Sequence, residues 1–567
     1  MGFSSSNLSA AAYGYSFVVA TTQESINASM QQYMNGIKAP EIMMCYIMDQ
    51  NGNPQSIDYQ TLITQANGTD PFSVPDGTPV TDPRIQNLSK AYFMYAFKAQ
   101  IGLPAGYAPL TPGGPALPNI VVLGSSTATV QFNLTCSEFQ VTEATYGPRG
   151  IANWLNQSQP AGQAWIFSSL VDMQLTPNSD YANLPPAVQA QIKNLGGNAF
   201  SVQQLLFDLD NAALQSTPTI TGVVPGTPLY NGLQSAFLGP YMTQLKTNGQ
   251  PVLGYSIQQS TTPPASITLT DLNFEVNPYM GTNGQPVSSP TTDQQGLSSL
   301  CYLCAANGVQ LPVANEFSWN WIDPSEESSY NGVVAINRNT FANFFETQLY
   351  PTVSKCCFSP LVRVWLSGTF DTTVNYQWGL SGNQTPTVNM PSTGSTVATF
   401  TYSGNASDQA GLNGDMGSMT LTPSMNATVV FTGKTIVITQ HLVIYVEITG
   451  TFGVTLSGNV VDITYTDTYT LGVDASGSLT ATLNSVKTDN SVDPSTNGWS
   501  NFWGSDVNSL MNDIATWVQD FAATNFTDIP LNTVQSFVFP GGNTFTFDDV
   551  SFSENRDLVS HITYVQV

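Results

Sequence analysis

At 567 residues the chain exceeds one ordinary core, and about two to four domains is the expectation for this length. Only 9% of the residues are charged, and 38 acids against 13 bases leave a net charge of −25. With no basic stripe to neutralise phosphates, nucleic acid is excluded as a partner, and simple electrostatic docking on anionic lipid is disfavoured. Hydrophobic residues nevertheless reach 41%, with a mean hydropathy of −0.04. Ser, Thr, Asn, Gln and Gly replace the missing charge, which predicts a large core under a neutral polar surface.

The start, "MGFSSSNLSAAAYGYSFVVATT", has no basic region before its mildly apolar part and reads as no conventional signal peptide. No uncharged apolar run approaches the ~18 residues of a membrane span. The expectation is a soluble protein, cytoplasmic or released by a route without a conventional signal peptide. Gly2 and Ser6 fit the loose myristoylation pattern. Six cysteines are too few for a disulfide scaffold in a chain this long.

In chain order, Ser16 is a reasonable cap for a helix over "FVVATTQESINASMQQYMNG", ended by Gly36. "EIMMCYIMD" and "IDYQTLIT" read as strands, and "RIQNLSKAYFMYAFKAQIG" after Pro83 as a second helix. Residues 103–120 are Pro/Gly-rich loop. The stretch from Ile120 to Tyr146, then "QAWIFSSLVDMQLTP", forms a strand meander. Short helices are expected at 185–195 and 201–214, and a longer one at 229–249, kinked or restarted at Pro240. "PVLGYSIQ" and "ASITLTDLNFEVNPYM" look like a strand pair. A boundary near residue 250 divides the chain into 1–250 and 251–567.

The second part opens with a helix, "TDQQGLSSLCYLCAANG", then "FSWNWI" and another helix at 338–350. From 361 to 485 the chain becomes a Thr/Val/Gly-rich series of alternating strands, which argues an antiparallel sheet with one buried face. A helix over 505–524, capped by Ser505, places Ile514, Trp517 and Phe521 on a broad apolar face. A long apolar helix face beside a curved amphipathic sheet is either ordinary core packing or one wall of a groove that admits an apolar ligand.

No motif completes a catalytic constellation. Cys301 and Cys304 have C-x-x-C spacing but sit inside an apolar helical pattern without the two further ligands zinc requires. Adjacent Cys356 and Cys357 read, like them, as buried structural thiols. "FTGKT" at 431–435 lacks the earlier P-loop glycine and is hairpin chemistry. Any Ser-His-Asp site would have to use His441, which lies in a strand run, or His561, at a strand end near Asp557. A structural hydrogen bond is the simpler role for His561. The carboxylate pairs Asp548/Asp549 and Glu326/Glu327 sit in turn-like sequence and read as solvated acids.

As a set, these pieces resemble a known group. "FSVQQLLFDLDNAAL", "NGQPVLGYSI", "LTDLNFEVNPY", "LSSLCYLCAANG" with "FSWNWI", "GVVAINRNTFANFF" and the closing "FPGGNTFTFDDVSFSENRDLVSHITY" occur in one order over residues 15–565. Together they are similar to the proteins that accompany botulinum neurotoxin in its gene clusters, and to their bacterial and fungal relatives. Those belong to the tubular lipid-binding (TULIP) superfamily. The resemblance implies an α+β fold of two TULIP-like halves, with long helices packed on highly curved antiparallel sheets.

For function, the resemblance implies non-enzymatic binding of lipid or another apolar ligand in a helix/sheet groove, with no cofactor, metal or catalytic residue. Ile514, Trp517 and Phe521 would be its first walls, and Val19, Ile26 and Met30 its second. A membrane surface, or a protein partner in a toxin-like assembly, are the further partners it suggests. Two alternatives stay open: a toxin-complex or structural companion with a packed interior, and a hydrolase whose site the motifs do not reveal.

Overall fold

The computed structural model describes residues 2–36, 41–124, 129–178, 188–189, 200–208, 219–221, 223–227, 230–231, 233–247, 252–259, 267–369, 372–412, 415–450, 455–492, 537–538 and 544–565. The expected helix over 505–524, with Ile514, Trp517 and Phe521, lies outside the described residues, as does most of the expected helix at 185–195.

Strands dominate, and this overturns the expectation of long helices packed on curved sheets. The longest described helix, Arg338–Lys355, has 18 residues, and the others run from 14 down to 5. Every described strand pairing is antiparallel.

A central sheet joins distant parts of the chain in the order Leu269–Asn277, Ser299–Ala306, Phe17–Thr22, Gly332–Ile336, Leu558–Val565, Thr544–Phe547. It therefore draws on both sides of residue 250. One face (Phe17, Val19, Val276, Tyr302, Ile336, Ile562) joins the main core. The other (Val18, Ala20, Cys301, Leu303, Val333) packs under Phe317, Trp319 and Trp321. Burial on both faces removes the alternation that marks a one-faced strand. Phe17–Thr22 and Ser299–Ala306 are buried at every position, which is why both read as helix from sequence. The helix expected from Ser16 begins instead at Gln23, where the Thr22 hydroxyl accepts from the Ser25 N–H at 3.2 Å.

Other boundaries shift for local reasons. "YQTLITQ" is a helix rather than a strand, because the Asp58 carboxylate caps the Thr61 N–H at 3.0 Å. The helix after Pro83 stops at Lys90, and Phe93–Ile101 is a strand; Tyr92 between them has a left-handed φ of 54°. Phe200–Asp208 is a strand. Val252–Gln259 and Leu269–Asn277 are strands of different sheets rather than a pair. Leu238–Thr247 restarts as α-helix after a π-turn over Leu233–Phe237, beside Pro240.

The strand series after 361 has the expected character. Asp415–Thr432, Thr435–Thr449 and Thr455–Val473 have 18, 15 and 19 residues, and Thr435–Thr449 alternates strictly between buried and half-buried positions. The "FTGKT" glycine turns the hairpin between the first two, with a left-handed φ of 56° that suits glycine. The helix packed on this sheet is Arg338–Lys355, through Phe341 and Phe345 on Phe431 at 5.3 and 5.9 Å between rings.

Candidate functional site

A further five-stranded sheet, in the order Pro54–Ile57, Ile42–Met48, Phe93–Ile101, Cys136–Gly147, Gly150–Ser158, has one face toward the main core and the other toward the short helices at 59–65 and 83–90. Along its inner face, cross-strand register sets successive rows. Met44, Phe97 and Val141 form one, and Tyr46, Tyr95, Glu143 and Leu155 form the next. The first of these rows is buried, while every member of the second is half-buried.

Glu143 and Leu155 of that second row line a cavity of about 550 Å³. Glu143, Thr145, Asn153, Leu155 and Gln157 line it from the sheet, and Trp165, Val223, Val224 and Thr227 form the opposite wall. Its size lies within the range of about 300–1,000 Å³ usual for small-molecule sites. Trp165 is buried at 4% exposure, whereas Val224 is 69% exposed, so the cavity opens to solvent on that side.

Beneath Trp165 lies an aromatic group. Its ring meets Phe139 edge-on at 5.2 Å, Phe139 meets Phe237 at 4.6 Å, and Phe237 stacks on Tyr241 at 4.8 Å. Phe237 and Tyr241 come from the 233–247 segment, which covers the inner face of the sheet. The Gln159 side chain accepts from the Trp165 N–H at 2.9 Å and donates to the Cys136 carbonyl at 3.0 Å, and so ties the Trp165 backbone to the Cys136–Gly147 strand.

Among the described residues Glu143 is the one ionisable group in the lining. Burial pushes its carboxyl above the ordinary carboxylate range. No cation among the described residues lines the cavity to offset this. Glu143 stands on the same strand face as Phe139 and Val141, at period two, and that position is the signal of this site in the sequence, which no catalytic motif carries.

Of the residues expected at a ligand site, Val19, Ile26 and Met30 are at most 3% exposed and belong to the main core. They are brought together with Phe97, Phe139 and Phe237 in that core but do not line the cavity.

The chemistry at the two histidines is that of hydrogen-bonded pairs. His441 Nε2 lies 2.9 Å from Asp462. His561, 2% exposed, has Nδ1 at 3.0 Å from Asp549 and Nε2 at 3.4 Å from Glu326, with the Tyr330 ring stacked on it at 4.1 Å and Phe3 edge-on at 4.3 Å. Burial alone would lower its pKa, but the hydrogen bond and charge of Asp549, with Glu326, hold it above the ordinary value. Among the described residues neither ring is bonded to a hydroxyl or thiol. Asp549 and Glu326, expected as solvated acids, are instead the partners of His561. Glu327 is also not free in solvent: burial, then the neighbouring Glu24, push its pKa up.

All six cysteines are buried and unpaired, and the C-x-x-C pair lies in a central strand rather than a helix. Among the described residues no group of three or more His, Cys, Asp or Glu is placed to hold a metal. No described helix is long and apolar enough to cross a membrane.

In "FSWNWI", the Asn320 side chain accepts from Met280 N at 2.7 Å and donates to Met280 O at 2.9 Å. Asn277 similarly holds Phe317 N and Trp319 O, at 2.7 and 3.1 Å. Two side-chain amides, bonded to backbone, therefore hold the motif over the central sheet. Beneath it Glu275 is fully buried, and neither carboxyl oxygen has a hydrogen-bond partner. Burial, then the charge of Glu316, push its pKa to about 7.

No family model and no curated protein matches the chain. Among solved structures, one described as the crystal structure of lipopolysaccharide binding protein aligns over 97% of this chain and 100% of its own, at 8% identity and a TM-score of 0.28. A likeness of that degree does not establish a common fold.

Proposed function

We propose that the chain is a non-enzymatic binder of an apolar ligand, held in the cleft between the inner face of the 42–158 sheet and the wall formed by Trp165 and Val223. The observation that carries this reading is the cavity of about 550 Å³, which is lined by buried Trp165 and opens beside exposed Val224. Leu155, Pro160, Trp165, Val223 and Val224 give the cleft an apolar part that can cover a chain, and Glu143, Thr145, Asn153, Gln157, Ser158 and Thr227 give it a polar part that suits a head group. Each ligand methylene taken from water contributes about 0.8 kcal/mol, so a short alkyl chain reaches useful affinity without an ion pair.

Native mass spectrometry of the purified protein, followed by organic extraction, tests this. A co-purified or added amphiphile should bind at one equivalent and be lost in Leu155→Trp, whose larger side chain fills the cleft, while the circular dichroism spectrum is unchanged. A protein that arrives empty and takes up nothing from phosphatidylcholine vesicles overturns it. The complete burial of Val19, Ile26 and Met30 favours the second reading, a companion protein with a packed interior, and that outcome would leave it standing.

A further inference from the structure

Among the described residues the cleft has one charged side chain and no compensating cation, which constrains the head group of whatever enters it. From Glu143, Tyr95 lies across one strand and Leu155 across the other, and Tyr46 lies beyond Tyr95. The Tyr46 and Tyr95 rings are 5.0 Å apart. These neighbours offer phenol rings and methyl groups. The remaining polar lining, Thr145, Asn153, Gln157, Ser158 and Thr227, is neutral. Among the described residues Glu143 makes no hydrogen bond or ion pair. Lys98, on the neighbouring strand Phe93–Ile101, stands at an alternate position to Tyr95 and Phe97, on the opposite face, and is already matched by Glu41 and Glu138.

We propose that the cleft selects amphiphiles whose head donates hydrogen bonds and carries no negative charge, a long-chain amine foremost, with Glu143 receiving the head and Trp165, Leu155 and Val223 covering the chain. This rests on the binding function proposed above. A half-buried carboxylate gains most from a cationic donor, because the charge-assisted hydrogen bond offsets its desolvation. An anionic head in the same place meets a like charge in a medium of reduced dielectric, and no arginine or lysine in the lining relieves it. The net charge of −25 adds to this bias at long range. A neutral alcohol falls between the two, since it donates a hydrogen bond without the charge term.

The test is calorimetric titration of the delipidated full chain with dodecylamine, 1-dodecanol and dodecanoate, three heads on one alkyl chain. Dodecylamine should bind at least about tenfold more tightly than dodecanoate, with the alcohol between them. In Glu143→Gln the amine should lose about tenfold, while the alcohol changes little. Glu554→Gln, at an exposed acid outside the cleft, should leave all three as they were, which separates Glu143 from the general acidity of the surface. Equal binding of amine and carboxylate, or a preference that survives Glu143→Gln, overturns the head-group selection while leaving the cleft as a binding site. Binding of none of the three overturns the binding function itself, and the selection with it.

Discussion

The carboxylate of Asp557 accepts a hydrogen bond at 3.0 Å from the backbone N–H of Arg338, the first residue of the Arg338–Lys355 helix, across 219 residues of sequence. Its other oxygen accepts from the Ser6 hydroxyl at 2.8 Å and from Leu8 N at 2.6 Å. A negative group suits a helix N-terminus, where unpaired N–H groups point outward. The Arg338 guanidinium donates to the carbonyls of Gly394 and Pro391, at 3.0 and 2.8 Å. One buried carboxylate therefore ties the N-terminal segment, the helix and, through Arg338, the loop at 391–394 to the C-terminal strand.

Removing that group should be costly. Asp557→Ala strands three buried donors and is expected to destabilise the protein by about 3–5 kcal/mol. Asp557→Asn keeps an acceptor and should cost less. Urea unfolding of both variants checks this; a loss below about 1 kcal/mol in the alanine variant would show that the three donors find other partners.

The buried acids set the pH dependence. Burial pushes Glu275 to about 7, and pushes Asp557 to about 6 against the opposing hydrogen bonds of Leu8, Arg338 and Ser6. Glu327 moves the same way. An acid whose folded pKa lies above its unfolded value holds more protons in the folded state, so stability falls as pH rises between the two values. For these acids the window runs from about pH 4 to about 7. The raised His561 acts in the same direction: its contribution is complete below the unfolded pKa and is lost as pH rises through the folded one. Asp549 is lowered, because His561 outweighs its burial, and it loses its contribution only as pH falls below the ordinary carboxylate range. Scanning calorimetry should therefore give a higher Tm near pH 5 than near pH 8, with the difference reduced in Glu275→Gln. A Tm that is flat or rises toward pH 8 would contradict this assignment.

The thiols should be inert. Burial pushes Cys45, Cys136 and Cys357 to about 12 and Cys356 to about 11, and Cys301 and Cys304 also lie well above the ordinary thiol value. Since the thiolate is the reactive form, native protein should show almost no fast reaction with Ellman's reagent, and all six cysteines should react in guanidinium. One rapidly titrating thiol in the native state would place that cysteine at the surface.

The sequence by itself determined the composition of the surface, the absence of a basic stripe, and the long one-faced strands such as Thr435–Thr449. In that strand, alternate burial leaves a period of two that needs no partner to be read. Tertiary structure alone decided that Phe17–Thr22 and Ser299–Ala306 are strands, because a strand covered on both faces has the same unbroken apolar run as a buried helix. It also decided the site. Tyr46, Tyr95, Glu143 and Leu155 come from four strands spread over more than a hundred residues. Only hydrogen-bonded register, set by packing across the sheet, places them in one row, of which Glu143 and Leu155 line the cleft.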